Sequence, residues 1–482
     1  MQNSDSTRKK VSEGLIWTFG ERITAQLVST IVTIVLARLL DPEHYGIISI
    51  VTVFITFCNV FVSTGFGSAV VQRKDADEDD FNTAFIISFV VALSLYAILF
   101  FAAPYIQEFY GMESLSAVIR VMALRLPLAA LNSIQQSYVQ REMAFKRFFV
   151  ATLLGTVLSG IIGIVLAFTG AGVWALVAQY LTNTTVDTIV LWFVCGWTPR
   201  LRFSTKKAKE LFGFGWKVLA SNLIANLESD IRSLLVGKVF GAADLAFYDQ
   251  GKKYPALLVN NINSSINKVM LPAYSKNQDD NIHLKSMLRR SIQIGLFILL
   301  PLMLGFAAVS HNFVSVILTE KWLTSVPYIQ IFCVYFLTRP IETSCQQAVL
   351  AKGRSDIVFR IMLLVNCVSL LTVIIAVFMF HDVFIIAIGS LFTTIVSIIC
   401  YMFFSNKLFG YSVKEQITDI IKPLSISLMM VVIVKSVDLF QIDELYRLIL
   451  QICLGAISYF VLAFVTRNET FSYLLGMVKK IR

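Results

Sequence analysis

Hydrophobic residues run along this chain in blocks separated by short polar breaks, from one end to the other. Each block holds about 20 residues, which matches the ~30 Å hydrocarbon core of a bilayer at the ~1.5 Å rise of an α-helix. Fourteen such segments can be drawn, at 14–36, 45–70, 81–103, 115–137, 148–168, 173–195, 211–236, 243–272, 288–309, 325–350, 358–380, 383–405, 420–438 and 446–466. The pattern predicts an all-α polytopic membrane protein with 14 transmembrane helices. The first segment is too long for the apolar part of a signal peptide, carries Glu21 and Arg22, and lacks a small-residue cleavage site. It reads as a retained helix. The breaks are short, so the chain has no room for a soluble catalytic domain between segments.

The pattern also repeats. ARLLDPEHYGIIS at 37–49 aligns with GKVFGAADLAFYD at 237–249, each being the loop after the first helix of its half. Trp17 corresponds to Trp216, and Asp79-Asp80 recurs as Asp279-Asp280. An even number of helices per repeat keeps the halves in one orientation, so the repeats are expected to be parallel, about an axis along the membrane normal. The expected organisation is an N-terminal lobe at 1–200 (helices 1–6), a pseudo-symmetric C-terminal lobe at 201–410 (helices 7–12), and an appended pair with a cytoplasmic tail at 411–482.

Composition agrees: of 482 residues, 56% are hydrophobic and only 15% charged, where a soluble domain is about a quarter charged. The net charge of +10 raises the question of nucleic acid, but its distribution answers otherwise. With the N-terminus placed in the cytoplasm, and the four end positions of each segment counted with the adjoining loop, the cytoplasmic side holds 27 Lys and Arg and the opposite side five: Arg38, Lys238, Lys321, Lys435 and Arg447. That asymmetry is the positive-inside rule, and it predicts both termini in the cytoplasm. No nucleic-acid partner is expected. The seven cysteines lie singly in apolar segments and the four histidines lack ligand spacing, so no metal and no cofactor is expected.

Nine cations remain inside the segments. Helix 7 carries Lys217, Ser221, Glu228 and Arg232 on one face at ~100° per residue, with Asp230 beside them. Helix 8 carries Asp249, Lys253, Asn260, Ser264 and Asn267 along a stripe, with Lys252 next to it. Helix 1 offers Arg22, helix 4 Arg125, Asn132 and Gln136, and helix 10 Arg339, Glu342, Thr343 and Gln346. A charged group at the bilayer centre costs about 2.5–3.5 kcal/mol, so these residues are expected to face each other or a water-filled cavity. Ion pairs holding the helices together would account for Glu228–Arg232 and Asp249–Lys253, both i,i+4. They account less well for the surplus of cations over Glu21, Asp187, Glu228, Asp230, Asp249 and Glu342. A net cationic cavity suits an anionic substrate. The expected substrate contacts are Arg22, Arg125, Lys217, Arg232, Lys252, Lys253, Arg339 and Asn260; the carboxylates Asp187, Glu228, Asp230, Asp249 and Glu342 are candidates for ion coupling.

RLLDPEHYG at 38–46, GFGSAVVQRK at 65–74, YVQREMAFKRF at 138–148, LPAYSK at 271–276 and EKW at 320–322 form an ordered set along the chain. This set resembles the Wzx-type polysaccharide flippases, nearest their colanic-acid and teichuronic-acid exporter branch, within a superfamily that also holds multidrug extruders and lipid II flippases. The resemblance implies two six-helix lobes around a central cationic cavity that opens alternately to either side. It implies a substrate made of an oligosaccharide on a polyprenyl diphosphate, and partners that include membrane lipids, a polysaccharide polymerase and chain-length proteins. It carries no catalytic motif, and the chain is not expected to be an enzyme. The rival readings are a multidrug or organic-cation antiporter, which would want an acidic or aromatic cavity, and a membrane polysaccharide polymerase or ligase, which would want a substantial outer loop. No GxxxxGK[ST] loop occurs, which argues against an ATP-driven pump.

Overall fold

The computed structural model describes residues 24–63, 65–73, 75–142 and 145–481, and among them it is helical throughout, with short connecting turns and no strand. The helices are α1 (Thr24–Leu39), α2 (Pro42–Ser63), α3 (Gly65–Gln72), α4 (Glu78–Tyr110), α5 (Leu115–Met122), α6 (Arg125–Arg141), α7 (Phe145–Phe168), α8 (Val173–Val194) and α9 (Thr205–Val239). They continue as α10 (Ala242–Lys276), α11 (Asn281–Phe313), α12 (Val326–Phe336), α13 (Arg339–Ala351), α14 (Ser355–Ile375), α15 (Val383–Phe409), α16 (Val413–Ser436), α17 (Glu444–Val465) and α18 (Glu469–Ile481).

Nine spans among the described residues are long and apolar enough to cross a membrane. Each coincides with a segment expected from the sequence. Of the other five, α8 holds Thr182, Asn183, Thr184, Thr185 and Asp187, α9 and α10 hold the charged stripes, the segment at 325–350 is divided between α12 and α13, and that at 14–36 lies partly outside the described residues. Several helices that hydropathy passes over carry candidate chemistry, whereas Arg125, Asn132 and Gln136 of α6 lie within one of the nine spans.

Two expected helices are not continuous. The segment at 115–137 is broken at Ala123–Leu124 into α5 and α6, and the segment at 325–350 at Leu337–Thr338 into α12 and α13. Each second half opens on an arginine, Arg125 or Arg339, with Pro127 or Pro340 in the same first turn. Proline at the first turn needs no N–H partner, so the chain restarts a helix there at little cost.

Contacts divide the chain into two compact units, Met1–Ala246 and Phe247–Arg482, with the boundary inside α10. In the first, α9 packs on α2, α3 and α4, and α7 lies along α8. The α7–α8 contact is close because Gly155 and Gly163 sit against Asn183 and Gln179. Gly46 of α2 lies against the carbonyl of Ala242, where any Cβ would collide with backbone. An aromatic cluster of Phe81, Phe85, Tyr138 and Trp197 closes one end of this unit.

The start of α4 is fixed by a capping box between Asp77 and Asp80. Asp80, 1% exposed, also bonds Arg73 at 3.0 Å, and Arg73 reaches Glu210 of α9 at 2.8 Å. Lys207 of α9 pairs with Asp77.

In the second unit, α16 and α17 are tied to α11 at both ends. Arg289 grips the buried Asp419 through Nε and Nη2 at 2.6 and 2.8 Å, and Gln293 and Tyr411 donate to the same carboxylate at 2.9 and 2.7 Å. At the far end of α11, Asn312 donates to Gln451 at 2.8 Å, and Gln451 donates to Asp438 at 2.9 Å. Between them the Tyr459 hydroxyl donates to the Phe297 carbonyl at 2.7 Å. In a bilayer, where helices gain little from hiding apolar surface, such polar bonds and close packing hold helices together.

Candidate functional site

The break that begins α6 sets Arg125 against α8. Its Nε donates to Thr184 Oγ1 at 3.1 Å, and its guanidinium lies 5.0 Å from the centre of the Tyr180 ring. Two turns further along α6, Asn132 Nδ2 reaches both Asp187 Oδ2 at 3.1 Å and Thr188 Oγ1 at 3.2 Å, and Gln136 Nε2 bonds Asn132 Oδ1 at 3.4 Å. Thr188 also reaches the Leu128 carbonyl at 3.3 Å. A continuous polar seam therefore joins α6 to α8. It brings Arg125 and Asp187 onto one line through Thr184, Thr188 and Asn132.

Glu228 and Arg232 of α9 are hydrogen-bonded as an i,i+4 ion pair, with Arg232 only 7% exposed. Asp230 is half-buried on the neighbouring face. Lys217 belongs to α9 by its backbone; its side chain is outside the description, and Arg22 lies outside the described residues altogether.

In the second unit, Asp249, Lys252 and Lys253 are half-buried in the first turns of α10, beside the buried Gln250 and Tyr254. Asn260, three turns on, is exposed. Arg339 opens α13. Its Nη1 pairs with Glu342 Oε2 at 3.2 Å, its Nη2 donates to the Tyr335 hydroxyl at 2.8 Å, and Thr338 Oγ1 donates to Glu342 Oε1 at 3.2 Å. The guanidinium also lies 5.2 Å from the Tyr335 ring centre.

Sequence reasoning passed over Thr184, Thr188 and Tyr180, the partners that fix Arg125 and Asn132. The run of hydroxyl and amide residues at 182–188, inside an apolar helix, was the available signal. The α6–α8 seam presents a guanidinium together with hydroxyl and amide groups, which can hydrogen-bond an anion or a hydroxyl. Among the described residues no cluster of His, Cys, Asp and Glu forms a metal site.

A family described as "Polysaccharide biosynthesis protein" matches residues 35–327. The chain belongs to this family. Over its length it is similar to the teichuronic acid biosynthesis protein TuaB of Bacillus subtilis, 25% identical over 98% of both chains. It is also similar to the lipopolysaccharide biosynthesis protein WzxC of Escherichia coli, 24% identical over 74% of this chain and 73% of that one. Among solved structures, the lipid II flippase MurJ in an inward closed conformation superposes with a TM-score of 0.75 and 14% identity, covering 94% of this chain and 99% of that one. This family member is a multi-pass membrane protein with a MurJ-like fold.

Proposed function

We propose that this protein flips an oligosaccharide carried on a polyprenyl diphosphate from the cytoplasmic to the outer leaflet of a bacterial inner membrane, by alternating access, for assembly of a surface polysaccharide. The observation that carries the reading is the end-to-end match to a polysaccharide biosynthesis protein, with 98% of each chain aligned. The fold shared with a lipid II flippase supports it. In this reading 14 helices form two six-helix lobes (1–200 and 201–410) and an appended pair, and both termini lie in the cytoplasm. Arg22, Arg125, Lys217, Arg232, Lys252, Lys253 and Arg339 replace part of the hydration of the diphosphate, and Asn260 meets sugar hydroxyls. Asp187, Glu228, Asp230, Asp249 and Glu342 are the groups through which an ion gradient would act. A polymerase and chain-length proteins take the product onward. The cation surplus on the polar helices favours this substrate over organic cations, and the short loops favour a transporter over a polymerase or ligase.

The test is reconstitution of the full chain into liposomes carrying a fluorescent lipid-linked oligosaccharide, read by an impermeant glycosidase outside. The reading expects the protected pool to become accessible, and to do so more slowly with Arg125→Ala. Uptake of an organic cation without any movement of the lipid-linked sugar would put the antiporter in its place. The orientation has its own test: Arg202→Cys and Ser275→Cys should label only from the cytoplasm and Lys321→Cys only from outside, all three positions being exposed.

A further inference from the structure

The ends of α4 and α9, with the middle of α2, enclose a groove of about 430 Å³ that none of the charged stripes enters. Its wall is almost wholly apolar: Phe54 from α2, Ile106 and Phe109 from α4, and Ile231, Leu234 and Leu235 from α9. One cation stands on it. Lys238, in the last turn of α9, is exposed, donates to the Phe109 carbonyl, and lies with its ammonium 4.5 Å from the centre of the Phe109 ring. The Tyr110 hydroxyl donates to the Leu234 carbonyl at 3.3 Å and so holds α4 to α9 beside the groove. Tyr105, 75% exposed, stands at the same end, where tyrosine marks the headgroup level of a bilayer. Phe54 lies 12 residues into α2, which at ~1.5 Å per residue carries the groove about 18 Å down from the start of that helix.

An apolar groove with one cation at its headgroup end has the chemistry of a lipid. We infer that it binds one acyl chain of an anionic glycerophospholipid of the surrounding bilayer, with the lipid phosphate on Lys238. An ammonium has three donors and the Phe109 carbonyl takes one, so the group can serve the helix end and a phosphate together. The charge decides between lipids. A diphosphate bearing sugars needs several cations and a set of hydroxyl or amide partners, and this wall offers a single lysine among apolar side chains. A phosphodiester bearing one negative charge matches it. The groove is therefore a site for a bilayer lipid, independent of the cargo. A chain seated in it rests on the face of α9 formed by Ile231, Leu234 and Leu235, next to Arg232. Lipid composition is thereby coupled to the helix that carries the Glu228–Arg232 pair.

The test is native mass spectrometry of the full chain released from nanodiscs holding equal amounts of phosphatidylglycerol and phosphatidylethanolamine. The wild type should retain one phosphatidylglycerol in preference. Lys238→Gln keeps a donor for the Phe109 carbonyl but no charge, and should lower that preference about fivefold, the order expected of one lysine beside an anionic surface. Lys238→Arg should keep it, and Ala102→Phe, which fills the groove, should lower retention of both lipids. Equal retention of the two lipids by the wild type, unchanged by Lys238→Gln, would overturn the proposal. So would displacement of phosphatidylglycerol by an equal amount of polyprenyl phosphate, which would make the groove a site for the carrier instead.

Discussion

The two broken helices place an arginine at the same point and hold it in different ways. At the start of α6, Arg125 is held by another helix: its described contacts are a hydroxyl and an aromatic ring of α8, neither of them anionic. At the start of α13, Arg339 is held by its own neighbours in sequence, Tyr335 and Glu342, and the latter neutralises it. Among the described residues, one break leaves a cation positioned by a hydroxyl and a ring, with no anionic side chain bonded to it. The other consumes its cation in a local ion pair. Of these two arginines, only Arg339 has its charge answered by a carboxylate beside it, although both look alike in the sequence.

The hub of the first break is Asn132, 6% exposed, whose amide serves Asp187, Thr188 and Gln136 together. Asn132→Leu should lower the unfolding free energy by about 2–3 kcal/mol, because buried polar groups lose their partner while keeping the cost of burial. Asp187→Asn in the same chain should recover part of the loss. Thermal unfolding of the purified protein measures both, and an Asn132→Leu chain as stable as the wild type would mean that the seam holds nothing together. At the second break, Arg339→Ala should cost about 1–2 kcal/mol, less than a fully buried pair, since Arg339 is 37% exposed. Adding Glu342→Gln should restore most of it, because the amide keeps the Thr338 partner without the charge. Failure of that rescue would break the contrast, by showing that Arg339 serves something beyond its neighbours.

These results also mark what the sequence could show. Glu228–Arg232 and Arg339–Glu342 are four and three residues apart, and helical periodicity alone brings such pairs together. Arg125–Thr184 and Asn132–Asp187 are 59 and 55 residues apart, and only the packing of α6 on α8 joins them. The apolar segments were legible because bilayer thickness imposes their length. The breaks at 123–124 and 337–338 were not, since Pro127 and Pro340 are equally at home in a kinked but continuous helix. The motifs that carry the family resemblance turn out to do structural work. Arg141 donates to the Val70 carbonyl in the last turn of α3 and to the Arg73 carbonyl just after it, Arg147 donates to the Cys195 carbonyl that ends α8, and Tyr274 and Trp322 are fully buried. A positive loop reads as topology in the sequence; in the fold several of its charges close helix ends.

Arg125 itself should matter little for stability. Arg125→Ala loses one hydrogen bond and a ring contact, and it also removes the cost of keeping a cation out of water, so the net change should stay below about 1 kcal/mol. Transport should nevertheless fall, and Arg125→Lys should restore it in part, because the charge returns without the planar fork. Equal losses of stability and transport would assign Arg125 to the seam alone.

The smallest effect sharpens the comparison by separating burial from distance along the chain. Lys207 and Asp77 are 130 residues apart, more than the 55 and 59 that separate the partners across the α6–α8 seam, but the Asp77 side chain is 60% exposed. The hydrogen bond from Lys207, with help from the Asp80 backbone N–H, pulls the Asp77 carboxyl down from its ordinary 3.8 to about 2. A carboxyl lowered in the folded state contributes stability that is complete above its ordinary value and disappears as the pH falls through the folded value. Asp77→Asn keeps an N-cap for α4 and removes only the charge. It should therefore unfold slightly more readily than the wild type near neutral pH, and the gap should close as pH falls from about 4 to about 2. Solvent screening keeps that gap well below the cost of Asn132→Leu. If Asp77→Asn proves as damaging as Asn132→Leu, the strength of the α6–α8 seam comes from joining distant segments. If it is slight and fades in acid, the strength comes from removing polar groups from water, and Arg125 is held where an anion would find it least hydrated.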